Sequence, residues 1–252
     1  MEEQQLALWK RFCDEYIYDT VGIPLFSTNG KLVNVKNYGK DNRLILKRSD
    51  LMENLVIKEV KKVIDDFHNA EDIYEGLIYI MYIMKNEFII PLYIGKSEKY
   101  GKQGCNLSRN ISNLDKDKSF FCRWGDNYAY HIGDLSAVVC PGHPENKILK
   151  KYKRWANSLF EVYPTTEPTL KEKVYFWISA WKKGSIGIFR EFGSTPLTAL
   201  EYQLISVAAT LFPEYLLNFE GVNRGRKITW IIWITLVKFY SMTISEHLLG
   251  IG

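Results

Sequence analysis

The sequence has no paired-cysteine signature, no internal repeat, no low-complexity tract and no apolar run long enough to cross a bilayer. The four cysteines, Cys13, Cys105, Cys122 and Cys140, show neither C-x-x-C spacing nor a metal-ligand pattern. That argues for free thiols in a reducing cytosol. The first residues, MEEQQLALWKRF, are acidic and then amphipathic. A secretory leader places a basic segment before an apolar one, so a cytoplasmic location is expected. The longest apolar stretch, ITWIIWITLV (228–237), falls short of the roughly 20 residues that span a membrane. It is expected as a buried strand or core helix, with no membrane partner.

What is present is a globular composition. The chain has 252 residues, 46% hydrophobic and 25% charged, enough for one decorated core or two small domains. The net charge of +4 suits an anionic partner, although many proteins share it.

Three parts are expected: an accessory segment (1–70), a core (71–220) and an extension (221–252). Helical spacing predicts a helix over 4–18. Alternation at Val33, Val35, Leu44 and Leu46 predicts a short hairpin. Asp50 is placed as the cap of a helix carrying Leu51, Leu55, Val56, Val60 and Val63. GLIYIMYIMKNEFIIPLYIGKS (76–97) reads as two strands, 76–84 and 88–95, around a polar turn. NLSRNISNL reads as a short helix capped by Asn106. FCRWGDNYAYHIGDLSAVV reads as a hairpin turning at Gly133-Asp134, and ENKILKKYKRWANSLF as a basic helix. KVYFWISAW and SIGIFREFG are strand candidates. Thr195 as cap and Pro196 as first residue open a last helix, TPLTALEYQLISVAATLF. The order predicts an α+β or mixed layered domain rather than a bundle or a sandwich.

The long hairpin carries a phenol on each arm, Tyr79 and Tyr93. Packing explains both, since tyrosine is a good strand former; so does a shared reaction site. If the site is real, the two side chains share a face. An unbroken ladder puts them directly opposite only across an odd-length turn, such as Lys85-Asn86-Glu87, and Pro91 can change that parity through a bulge. After the second strand, Gly95 lets the chain turn. Lys96, Ser97, Lys99 and Lys102 then either approach a phosphate or form a solvated turn. Arg109 and Asn113 share one helix face, in isolation an ordinary solvated one. Glu201 is the single charged residue between Phe192 and Pro213. Inside an apolar stripe it calls for an arginine, a hydrogen-bond network or a metal beside it; near a helix start, the dipole alone can favour it.

The ordered set GLIY…PLYIG, then Arg109, Glu201 and LLN ending at Asn218, resembles the GIY-YIG nuclease superfamily over residues 76–218, with insertions. The resemblance implies a small mixed three-stranded sheet flanked by helices, and a divalent-metal-dependent DNA endonuclease with Mg²⁺ (or Mn²⁺). It assigns Tyr79 and Tyr93 as the motif tyrosines, Arg109 as the family arginine, Glu201 as metal ligand and Asn218 as the asparagine near the end of the core. The first motif departs from the usual form, with Leu-Ile-Tyr for Gly-Ile-Tyr. Several members carry histidine where this chain has Asn113, which cannot act as a base. The base role then falls to a tyrosine or a lysine, Tyr79 first, with Lys96 or Arg109 as the cation lowering the pKa of its phenol.

Further contacts to double-stranded DNA are expected from Lys96, Lys102, Asn113, Arg123, His131, Lys151, Arg154 and Arg224. For the basic helix and for the 123–131 segment, a solvated helix and a packed hairpin are the plain alternatives. A restriction or defence role, a repair or mobile-element role, and a non-cleaving binding module on the same fold all stand as readings. A homodimer would suit the cutting of both strands.

Overall fold

The computed structural model describes residues 2–20, 22–114 and 117–218; Arg224 and the 228–237 stretch lie outside them. In chain order the described residues form helix α1 (Glu2–Tyr16) and the short strands β1 (Thr28–Asn29), β2 (Leu32–Val33), β3 (Val35–Tyr38) and β4 (Arg43–Leu46). Helix α2 (Asp50–His68) leads into the long strands β5 (Tyr74–Lys85) and β6 (Phe88–Glu98). Helices α3 (Arg109–Ser112), α4 (His131–Val139) and α5 (Lys150–Leu159), strand β7 (Tyr175–Lys182) and helix α6 (Leu197–Leu211) complete the set. The fold is α+β. Its main sheet has the order β6-β5-β7, and both pairings are antiparallel, so the expected mixed sheet is corrected to an antiparallel one.

Alternation along β5 divides the packing. Leu77, Tyr79, Met81 and Ile83 join one buried cluster with Phe176 and Ile178 of β7 and with residues of α2, α4 and α5. The other face receives α1 and α6: Phe12 packs on Trp177 and Tyr16 on Trp181, and α6 lies against β5 and β6. The indole of Trp9 donates to the Ile89 carbonyl at 2.9 Å. Residues 2–70 therefore cover both faces of the sheet, and residues 1–218 form one compact unit.

The turn of the long hairpin is Asn86-Glu87, with Lys85 paired to Phe88 and both turn residues at positive φ (49° and 64°), as a type I′ connection requires. This corrects the expected odd-length turn. Left unbroken, that ladder would put Tyr79 and Tyr93 on opposite faces. A bulge prevents it: Tyr82 pairs with Pro91 while Met81 pairs with Tyr93, leaving Leu92 extra. The added residue flips the parity, so the phenols share a face as expected, on a diagonal rather than directly opposite.

Other boundaries shift. Ser49, not Asp50, caps α2, accepting from the Met52 amide at 3.0 Å. Ser108, not Asn106, precedes α3. Pro196 rather than Thr195 occupies the cap of α6. The expected hairpin over FCRWGDNYAYHIGDLSAVV is instead an irregular loop followed by α4, all nine of whose residues are buried. Ile132, Leu135, Val138 and Val139 recur at helical spacing there, and that periodicity outweighs the β preference of the aromatics before it. SIGIFREFG is a loop closed by the Thr195 amide on the Ser185 carbonyl at 2.8 Å, not a strand. The basic helix starts only at Lys150, after a separate turn at Glu145–Lys147.

Lys99 is not a phosphate contact. Its ammonium lies 2.6 Å from Asp66, with both side chains inaccessible to solvent, and Asp66 also accepts from the Ile73 and Tyr74 amides at 2.9 and 3.1 Å. This joins the end of α2 to the start of β5 and the end of β6. Burial alone would push the Asp66 carboxyl up, but the Lys99 and backbone hydrogen bonds outweigh it and hold the pKa below the usual range. Asp66 thus stabilises the fold above the unfolded carboxylate pKa, and that contribution is lost as pH falls through the lower folded value. Lys99→Met strands the carboxylate and is expected to cost about 3–5 kcal/mol in urea denaturation at pH 7. The gap to the parent should narrow toward pH 4, where the stranded Asp66 takes up a proton; a gap independent of pH would refute this account.

Candidate active site

The site gathers at the β6 edge of the sheet. Tyr79 sits on the central strand opposite Gly95, and its ring lies across that glycine. A Cβ at position 95 would meet Tyr79 Cε2 at 2.6 Å and Cζ and Oη at 2.8 Å. The missing side chain thus lets the phenol reach across the edge strand. Tyr79 is 2% exposed and packs against Tyr93 (6.4 Å between ring centroids), Trp124 (5.7 Å) and Phe176 (6.2 Å). Burial, with Tyr93 and Cys122 adding to it, pushes the phenol well above its ordinary pKa, against the opposing charge of Arg123; Glu201 pushes it further up. Tyr79 therefore holds its proton, which corrects its expected role as base.

Tyr93 is half-buried and differs in its surroundings. The Lys151 ammonium lies 3.4 Å from its hydroxyl and 4.9 Å from its ring centroid. Lys151 extends from α5, so one member of the expected DNA-tracking helix is instead the cation at the second phenol. Lys96 does not fill that place. Alternation puts it beside Ile78, on the α6 face, where it is paired with Glu98; Glu98 also accepts from Thr198 Oγ1 at 3.4 Å.

The arginine whose charge reaches Tyr79 is Arg123. It acts electrostatically on Tyr79, Cys122, Tyr130, His131, Asp134 and Tyr152. Arg109 lies on the outer surface, 4.6 Å over the Phe120 ring, and its charge reaches Tyr130 and Asp117. The loop bearing Arg123 is strained: Phe121, Cys122 and Arg123 all have positive φ (25°, 46° and 74°), which costs a non-glycine residue about 1–2 kcal/mol. It is held in place by the buried Arg48, which bonds to the Trp124 carbonyl at 2.8 Å and pairs with Asp126 and Glu53.

His131 is 1% exposed, so it does not contact DNA as expected from the sequence. Its Nδ1 shares a hydrogen bond with the Tyr152 hydroxyl at 2.9 Å. Burial, then Lys151 and Arg123, pull its pKa well below the ordinary value, and the ring is neutral. It packs between Tyr93 (5.1 Å) and Trp155 (5.2 Å) and wedges the second phenol in place.

Asn218 bonds twice to the backbone of Ile94: Oδ1 accepts from its amide at 2.9 Å and Nδ2 donates to its carbonyl at 2.8 Å. This clamps the residue between Tyr93 and Gly95, so Asn218 positions the motif. Arg154 donates to the Leu217 carbonyl beside it, a tether rather than a DNA contact. Lys102 is exposed in the 101–108 turn, and Asn113 ends α3. Glu201 is half-buried on α6 and approaches from the face opposite Arg123, near enough to raise the Tyr79 pKa. Among the described residues no three His, Cys, Asp or Glu side chains gather as a metal cage, and none of their helices is long and apolar enough to cross a membrane. Mg²⁺ retains several waters and takes one or two protein carboxylates, so a site for it needs no cage of three such side chains.

Comparison of the chain with protein-family models, with curated proteins and with solved structures returns no match.

Proposed function

We propose that this chain is a divalent-metal-dependent DNA endonuclease of the GIY-YIG type. The observation that carries the reading is the Tyr79 ring laid across Gly95, with Arg123 and Glu201 acting on the same phenol from opposite faces of the sheet. A structural tyrosine needs only packing; this one packs on a second phenol with its own lysine and lies within the electrostatic reach of a cation and a carboxylate.

Phosphodiester hydrolysis needs an activated water and charge relief on the phosphoryl oxygens. Arg123 binds the non-bridging oxygens with its planar fork. Tyr93 orients the water and, as the phenolate that the neighbouring Lys151 ammonium stabilises, accepts the proton the water gives up as it attacks phosphorus. Tyr79 keeps its proton and donates a hydrogen bond from the cleft floor. Glu201 would hold Mg²⁺, which supplies Lewis-acid relief of the phosphoryl charge.

The test is incubation of the purified protein with plasmid DNA in Mg²⁺ and in EDTA, beside Glu201→Gln. The reading expects cutting only with the metal. The variant should need at least about tenfold more Mg²⁺. Binding without cutting would support the non-cleaving module instead, and unchanged metal dependence in Glu201→Gln would overturn the ligand assignment.

A further inference from the structure

The strained loop carries two aromatic rings that the core does not use. Phe120 and Tyr130 are half-buried and belong to neither the buried cluster nor the partly buried side chains packed on it. They touch each other edge to face, with centroids 5.2 Å apart and planes at 83°. Arg109 lies over Phe120 at 4.6 Å and Arg123 over Tyr130 at 5.9 Å. The result is a row, Arg109, Phe120, Tyr130, Arg123, that runs from the exposed surface of α3 into the proposed cleft. Phe121 and Cys122 turn inward and are buried, which leaves the flanking aromatics outside. A second stack, Arg43 between Tyr38 and Tyr128, differs in that hydrogen bonds to Asn127 and His143 tie it down.

We propose that this row is a binding surface for unpaired nucleotides flanking the cut, so that the preferred substrate is single-stranded or forked rather than uniformly duplex. A duplex hides its base faces and offers the row only phosphates. An unpaired strand offers both, phosphates to the two guanidiniums and base faces to the rings and to the outer face of exposed Arg109. The proposal rests on the nuclease reading for the identity of the polymer, but its test reads binding, not cutting.

Fluorescence anisotropy in EDTA would compare single-stranded, forked and fully duplex oligonucleotides of one length. Single-stranded and forked forms should bind tighter than duplex. Tyr130→Ala and Phe120→Ala, with unchanged thermal midpoints, should each weaken single-strand binding about 5- to 100-fold while leaving the salt slope unchanged. Arg109→Ala should lower that slope by about one. Equal affinity for single strand and duplex, or aromatic variants within twofold of the parent, overturns the proposal even if plasmid is cut. Tight single-strand binding lost in Tyr130→Ala sustains it even if nothing is cut.

Discussion

Arg123→Gly is expected to lower the rate of DNA cutting at saturating substrate about 10²–10³-fold, the usual effect of removing one preorganised donor from developing charge. The same substitution should leave stability unchanged or raise it by up to about 1 kcal/mol. Arg123 stands at φ 74°, a conformation that costs an arginine energy and a glycine almost none. Loss of function without loss of stability separates a reacting group from a structural one. Arg123→Lys keeps the charge without the fork and should recover only part of the rate. Arg109→Ala, on the outer surface over Phe120, should act on KM and spare kcat. The opposite pattern, cutting lost in Arg109→Ala and kept in Arg123→Gly, would return the assignment to Arg109. The measurements are steady-state cutting of a labelled substrate and urea denaturation of each variant.

Gly95→Ala is expected to cost about 10²-fold or more in cutting. The new methyl would sit 2.6–2.8 Å from three atoms of the Tyr79 ring, inside any permitted contact. That ring cannot retreat, because Trp124 and Phe176 close the cluster behind it. Either the phenol or the edge strand must shift, and a displacement near 1 Å at a reacting centre is enough for a loss of that size. The overpacking itself should cost about 1–3 kcal/mol. Gly101→Ala is the control: its Cβ meets only the Asn106 carbonyl, at 3.7 Å, and activity should persist. A fully active Gly95→Ala would mean that Tyr79 has no part in the reaction.

Much of the sheet can be read locally. Two apolar runs around a polar turn define both arms of the hairpin, helical spacing defines α2, and Thr195-Pro196 before an apolar run marks α6. The part that escapes local reading depends on distant partners. No rule of spacing brings Lys151 to Tyr93; that follows from α5 docking at the sheet edge. The choice between Arg109 and Arg123 turns on the loop that Arg48 anchors. The loop's aromatics imitate a strand, whereas Ile132, Leu135 and Val138 carry a helical period that was visible in the sequence. Gly95 was expected to turn the chain, but β6 runs on through it to Glu98; what it does, making room for a ring from the neighbouring strand, needs the pairing register. Pro91 did mark the bulge on which the shared face of the phenols depends.

The Asn218 clamp has a consequence in time. It closes on Ile94 across 124 residues, and α1 is fastened to the far part of the chain by Arg11 on the Ile188 carbonyl, 177 residues away. A chain emerging from the ribosome makes the tyrosine hairpin early, yet it cannot close that clamp until the peptide has been extended past position 218. Contacts of such long separation form late. A copy that stops before position 218 would therefore carry both phenols without the clamp that fixes the residue between Tyr93 and Gly95.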